Sequence, residues 1–117
     1  MTRRRKARLD KEARHVRLYH TMLKSAAWRD LDACAKALYV EISSRYGGVG
    51  SNNGRIPYSV REAATALKVG KTRAADAFGD LQEHGFIFPE TKGAFSRKVR
   101  HATEWRLSEF PSDVNSE

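Results

Sequence analysis

The sequence predicts an α+β fold, mostly helical, in which a core of three helices carries a small antiparallel sheet. Three observations predict it. Two short segments with helical apolar spacing, 59–69 and 72–84, flank a turn signal at Gly70. A third helical segment, 33–46, precedes them with the stripe Ala35, Leu38, Tyr39 and Ile42. Behind them, residues 86–88 and 103–107 have strand character, with Thr103, Trp105 and Leu107 alternating against Glu104 and Arg106.

Each boundary has a local cause. Ser59 followed by Glu62 is a capping box, in which the hydroxyl accepts from a free amide of the first turn and the carboxylate reaches back to the cap. Val60, Ala64 and Leu67 then make a short stripe of mostly small residues, so that two helices can cross closely. Gly70 is expected to end this helix in a left-handed conformation and Thr72 to cap the next. The second helix buries Ala74, Phe78 and Leu81, and Gly85 closes it before Phe86, Ile87 and Phe88 run on as strand.

The run GKTRAADAFGDLQEHGFI resembles the recognition helix and following strand of bacterial winged helix-turn-helix regulators. More loosely, the resemblance extends over residues 28–107, including NNGRI before the motif and ATEWRL after it. The chain is most similar to small DNA-binding proteins of bacteria, phages and plasmids, including the DNA-binding segments of replication initiators. This resemblance implies a winged helix-turn-helix with a three-helix core, a small sheet and a wing, and it implies DNA as the partner.

At 117 residues the chain is expected to form one domain, 18–108, between a basic arm, 1–17, and a flexible acidic tail, 109–117. Lys and Arg number 22 against 14 acids, a net +8 with a pI near 10.0, which favours a polyanionic partner. Nucleic acid comes first and a membrane surface second. No apolar run approaches the ~20 residues that cross a bilayer, and no signal-peptide core follows the basic start, so a cytoplasmic, nucleoid-associated location is expected. The single cysteine, Cys34, makes no internal disulfide and reads as a helix residue near the core.

Eight cations against Asp10 and Glu12 place six of the eight net charges in residues 1–17. Arg3, Arg4 and Arg5 head the candidate DNA contacts of an arm that tracks phosphates or enters a minor groove. The competing reading is a solvated tail. Leu9, Ala13 and Val16 have helical spacing as well. Residues 16–31 read as packed on the domain, with Ser25 capping a short turn and Trp28 in the core. Asp32 caps the helix of 33–46, GGVGSNNG (47–54) reads as a flexible connection, and Arg55 and Ile56 form a brief strand at the sheet edge before Pro57.

Two faces compete for DNA. Between 68 and 84, Lys68, Lys71 and Arg73 are balanced by Asp76, Asp80 and Glu83, with the cations at the N-terminal end, where free amides and the helix dipole also favour phosphate. Lys71, Thr72 and Arg73 are therefore the candidates at the major groove, Arg73 being suited to a bidentate contact with guanine. Asp76 either accepts from a cytosine amino group, holds Arg73, or forms a bland surface pair with it. Gly79, costly in a helix, suggests close approach of a backbone or of DNA. The wing carries Lys92, Arg97, Lys98 and Arg100 with no acid between 92 and 101, a cluster suited to straddling a phosphate backbone or entering a minor groove. A solvated loop is the alternative.

Catalysis and metal binding lack a motif. His15, His20, His84, His101 and Cys34 form no zinc spacing and read as surface or core residues, and there is no Walker loop or nucleophile elbow. No enzyme activity, cofactor or small-molecule effector is inferred. The expected function is sequence-specific binding of double-stranded DNA in transcription regulation, through recognition helix 72–84, the wing and the arm. Replication or partition initiation on a mobile element is an alternative, and a winged-helix protein interaction module is another. One domain reads few base pairs, so a homodimer or a second DNA-bound protein is a plausible companion, with surfaces before Trp28 the first place to seek it.

Overall fold

A computed structural model describes residues 13–91 and 103–113. Five described helices and a three-stranded antiparallel sheet give an α+β architecture. Two are single turns, α1 (His20–Leu23) and α2 (Ala26–Arg29); they lead into α3 (Ala33–Ser43). Strand β1 (Ile56–Pro57), helices α4 (Val60–Leu67) and α5 (Lys71–Glu83), and strands β2 (Ile87–Thr91) and β3 (Glu104–Leu107) follow.

The caps read from the sequence form in three places. Ser25 accepts from the Trp28 amide at 3.1 Å, Asp32 from the Ala35 amide at 2.9 Å, and Ser59 and Glu62 make both bonds of the capping box. Three boundaries differ. Helix α4 ends at Leu67, and Lys68, not Gly70, takes the left-handed conformation at φ 59°. This early turn brings Val69 onto the core beside Leu67, where its amide bonds the Ala64 carbonyl at 3.1 Å. Gly70 then becomes the N-cap of α5 at φ −75°, so Thr72 lies inside the helix and caps nothing. Helix α3 stops at Ser43 instead of near residue 46, because the Arg45 and Tyr46 amides tighten onto the Ile42 and Ser43 carbonyls three residues back.

Ala35, Leu38, Tyr39 and Ile42 are fully buried as the α3 stripe requires, and Ala74, Phe78 and Leu81 are buried on α5 together with Ala77. On α4 the buried centre is Ala63, while Val60, Ala64 and Leu67 flank it half-buried. The buried line is centred one residue earlier than the expected stripe, where α4 packs against both α3 and α5. Two aromatic groups finish the core. Trp28 meets Tyr39 and Phe86 edge-on at 5.5 Å each, and Trp105 stacks on Phe78 at 5.1 Å, fastening the sheet to α5.

The strand order is β1-β3-β2, so β3 is central and β1 lies at an edge. Strand β2 runs on to Thr91, past Phe88, and includes Pro89, which an edge strand tolerates; the pairing slips between Pro89 and Thr91. Arg106 on β3 spans to Glu90 at 2.7 Å and lies over the Phe88 ring, clamping the base of the hairpin.

Two segments expected to be flexible are held instead. Asn53 is fully buried, and its side chain bonds Leu107 twice and reaches the Phe110 and Pro111 carbonyls. Asn52 closes the loop on itself through the Gly47 amide and Arg45 carbonyl. Beyond β3, Phe110 packs on Tyr46 and Tyr19, and the Asp113 carboxylate accepts from the Gly50 and Asn53 amides. The tail is docked at least to Asp113. The cause is non-local: amides and carbonyls of the 47–54 loop are satisfied by residues more than fifty positions away. No helix among the described residues is long and apolar enough to cross a membrane.

Candidate nucleic-acid interface

Helix α5 presents its buried face through Ala74, Ala77, Phe78 and Leu81, and this fixes what points outward. At 100° per residue the opposite stripe is Thr72, Asp76, Gly79 and Glu83, all exposed. Lys71 and Arg73 flank that stripe in the first turn and are exposed too. Unlike α2, α3 and α4, this helix has no side-chain cap at its start, so its first amides remain free to meet an anion. Lys68, exposed at the left-handed turn just before, adds a cation at the same end. The sequence shows Lys68 as part of the charge balance; its place at the turn follows only from where α4 stops.

Beyond the first turn the surface changes sign. Asp32, Arg73, Asp76, Asp80 and Glu83 line one shallow open groove along α5. Among the described residues no ion pair joins Arg73 to Asp76, so the proposed role of Asp76 in holding Arg73 has no contact behind it. Gly79 gives no close approach to the chain itself: a methyl group placed on it meets nothing within 4 Å. The glycine leaves a gap on the outward stripe between Asp76 and Glu83.

The far end of α5 is fixed to the start of the core. His84 Nδ1 lies 2.8 Å from the Asp80 carbonyl and Nε2 lies 2.8 Å from the Asp30 carboxylate. The near end is braced through α4. Arg45 donates to the Pro57 carbonyl at 2.7 Å, forks onto Glu62 at 3.1 and 3.3 Å, and covers the Tyr58 ring. Arg45 holds Glu62 below the ordinary carboxylate range, aided by the Ser59 bonds, although partial burial opposes this. Burial pushes the Tyr58 hydroxyl up to about 12, and its bond to Glu41 adds to the shift. Burial likewise takes Tyr39 to about 12. Both tyrosines are packing residues that remain protonated at neutral pH.

The paired residues Thr91 and Glu104 bring the two ends of segment 92–102 side by side on the sheet. Its candidates Lys92, Arg97, Lys98 and Arg100 lie outside the described residues, as do Arg3, Arg4 and Arg5. The structure therefore places Lys71, Thr72, Arg73 and Asp76 together on one exposed turn and a half of α5. No group of three His, Cys, Asp or Glu among the described residues could hold a metal ion. No protein-family model, curated protein or solved structure matches the chain.

Proposed function

We propose that the chain is a winged helix-turn-helix protein that binds double-stranded DNA in the cytoplasm and regulates transcription from specific sites. The observation that carries the reading is the exposed, cationic and uncapped first turn of α5, on a helix whose opposite face is core. Free amides, the helix dipole and Lys68, Lys71 and Arg73 all favour phosphate at that end. The order of α3, α4 and α5, followed by a hairpin whose return strand is stacked on Phe78, suits a recognition helix with a wing beside it. The wing and arm would add phosphate contacts through Lys92, Arg97, Lys98, Arg100 and Arg3 to Arg5.

The acidic groove on α5 favours a second reading. Four carboxylates around one arginine would repel phosphate and suit a basic protein surface. A replication or partition initiator would share the DNA interface and differ in the sites it chooses.

Selection from random genomic duplex fragments at two salt concentrations separates these readings. One enriched motif that survives the higher salt supports a sequence-specific regulator or initiator. With six or more phosphates neutralised, log affinity falls against log salt with a slope of about −5 or steeper. The absence of any retention would overturn the DNA reading and direct the search to protein partners.

A further inference from the structure

A second candidate site lies away from the α5 turn, where the chain enters the domain. Residues Ala13 to Arg17 run without regular structure past the end of α3 and the 47–49 loop, and Phe110 of the docked tail closes one side. Together they line a half-open cavity of about 520 Å³, inside the roughly 300–1,000 Å³ range of small-molecule sites.

The cavity wall holds polar atoms that the chain leaves unmatched. The Ser43 hydroxyl at the end of α3 and the Tyr46 hydroxyl just beyond it are buried and make no hydrogen bond of good geometry, while Ser43 also acts on the Tyr39 hydroxyl deeper in the core. Ser43 is only 6% exposed, and both Ser43 and Tyr46 line the cavity. A buried polar group left unpaired costs roughly 1–3 kcal/mol, and folded proteins keep few of them. Arg14, His15 and Arg17 line the same cavity and are exposed, and no described carboxylate forms an ion pair with either arginine. Asp113 is the acid that acts on the Tyr46 hydroxyl, and its two oxygens are engaged by the Gly50 and Asn53 amides. Val16, Val49 and the tilted, packed rings of Tyr46 and Phe110 supply the apolar part of the wall.

We infer that this cavity binds a small organic anion with an apolar body, its carboxylate set toward Arg14 and Arg17 and its polar edge on the Ser43 and Tyr46 hydroxyls. The inference stands apart from the DNA reading. A ligand here would tie the 13–17 segment to the end of α3.

Amide NMR of the full chain tests it with three probes: phenylacetate, its neutral analogue phenylacetamide, and acetate, which lacks the ring. Phenylacetate is expected to shift the resonances of residues 13–17, 43–49 and 110 saturably, with the other two at least about tenfold weaker. Ser43→Ala should weaken phenylacetate about fivefold while leaving the melting temperature unchanged or higher, since it removes an unpaired buried hydroxyl. Arg14→Ala with Arg17→Ala, both at exposed positions, should reduce phenylacetate to the level of the amide. If no probe saturates at millimolar concentration, solvent alone satisfies these hydroxyls and the site falls. Equal binding of phenylacetate and phenylacetamide would remove the anion assignment, and a lowered melting temperature for Ser43→Ala would make the hydroxyl structural.

Discussion

Asn53 and Leu107 exchange two hydrogen bonds: the Asn53 side-chain amide donates to the Leu107 carbonyl at 2.9 Å, and the Leu107 amide donates to Asn53 Oδ1 at 2.7 Å. The side chain thereby takes the place of a strand residue and continues the pairing begun by Ile56 with Trp105. The same amide reaches the Phe110 and Pro111 carbonyls at 3.0 Å, sharing two hydrogens among three acceptors.

Replacing this side chain removes the partner of the Leu107 amide and the side-chain bonds to the Leu107, Phe110 and Pro111 carbonyls, of which the Leu107 carbonyl keeps the Phe110 amide. Asn53→Ala is expected to destabilise the domain by roughly 2–4 kcal/mol, a large part of a marginal total. Denaturant melts of the full chain measure it. Asn52→Ala removes only bonds within its own loop and should cost about 1 kcal/mol.

Glu62 joins the capping box to the Arg45 fork, and both favour its ionised form. Its folded pKa lies below the ordinary value of 4.5, so its contribution is present above that value and is lost as pH falls through the depressed one. The carboxylate is 44% exposed, which limits the ion pair to a surface value. Glu62→Ala should cost about 1 kcal/mol at neutral pH, mainly through the cap, and should flatten the acid limb of a stability against pH curve.

His84 has an acceptor against each ring nitrogen, the Asp30 carboxylate and the Asp80 carbonyl, and only the doubly protonated ring satisfies both. Asp30 first, and then the Asp80 carbonyl, raise its pKa above 6.5. The stabilisation is therefore complete below 6.5 and disappears as pH rises through the raised folded value. A histidine NMR titration should give a His84 pKa above 6.5, and Asp30→Asn should bring it down. An unshifted His84 would contradict the clamp.

Arg73→Ala should relax preference at one base position and cost about 1–3 kcal/mol at the preferred site, with little change in stability because the side chain is exposed. Selection of bound sequences with the variant measures this. Arg97→Ala with Arg100→Ala should instead weaken every sequence alike and flatten the salt slope. Unchanged preference for the first variant, or unchanged affinity for the second, removes the corresponding contact.

The legible parts of this protein are those whose partners are close in the chain. Ser25, Asp32 and Ser59 cap amides three residues ahead, and Gly85 with φ 80° closes α5 where only a flexible backbone turns easily. The cationic first turn of α5 was visible for the same reason, since Lys71 and Arg73 are adjacent to the turn that ends α4. The N-cap at Gly70 was not, because Thr72 is the better capping residue taken alone. It lost to the burial of Leu67 and Val69, which drew the preceding turn back to Lys68.

By itself the sequence determined the helical stripes, the caps, the alternation of Trp105 and Leu107, and the concentration of positive charge at the start of the chain and in 92–101. Such features follow from residue spacing of two to four and from composition, which need no knowledge of the rest of the fold. Only the tertiary structure decided that Asn53 is a buried strand surrogate, that Phe110 and Asp113 dock the tail, that Arg45 braces α4, and that the buried hydroxyls of Ser43 and Tyr46 belong to the wall of one cavity. Composition assigns Asn, Gly and acidic residues to loops and tails because their bonding capacity is usually met by water. Here, carbonyls and amides more than fifty residues distant meet it, and no local pattern records them.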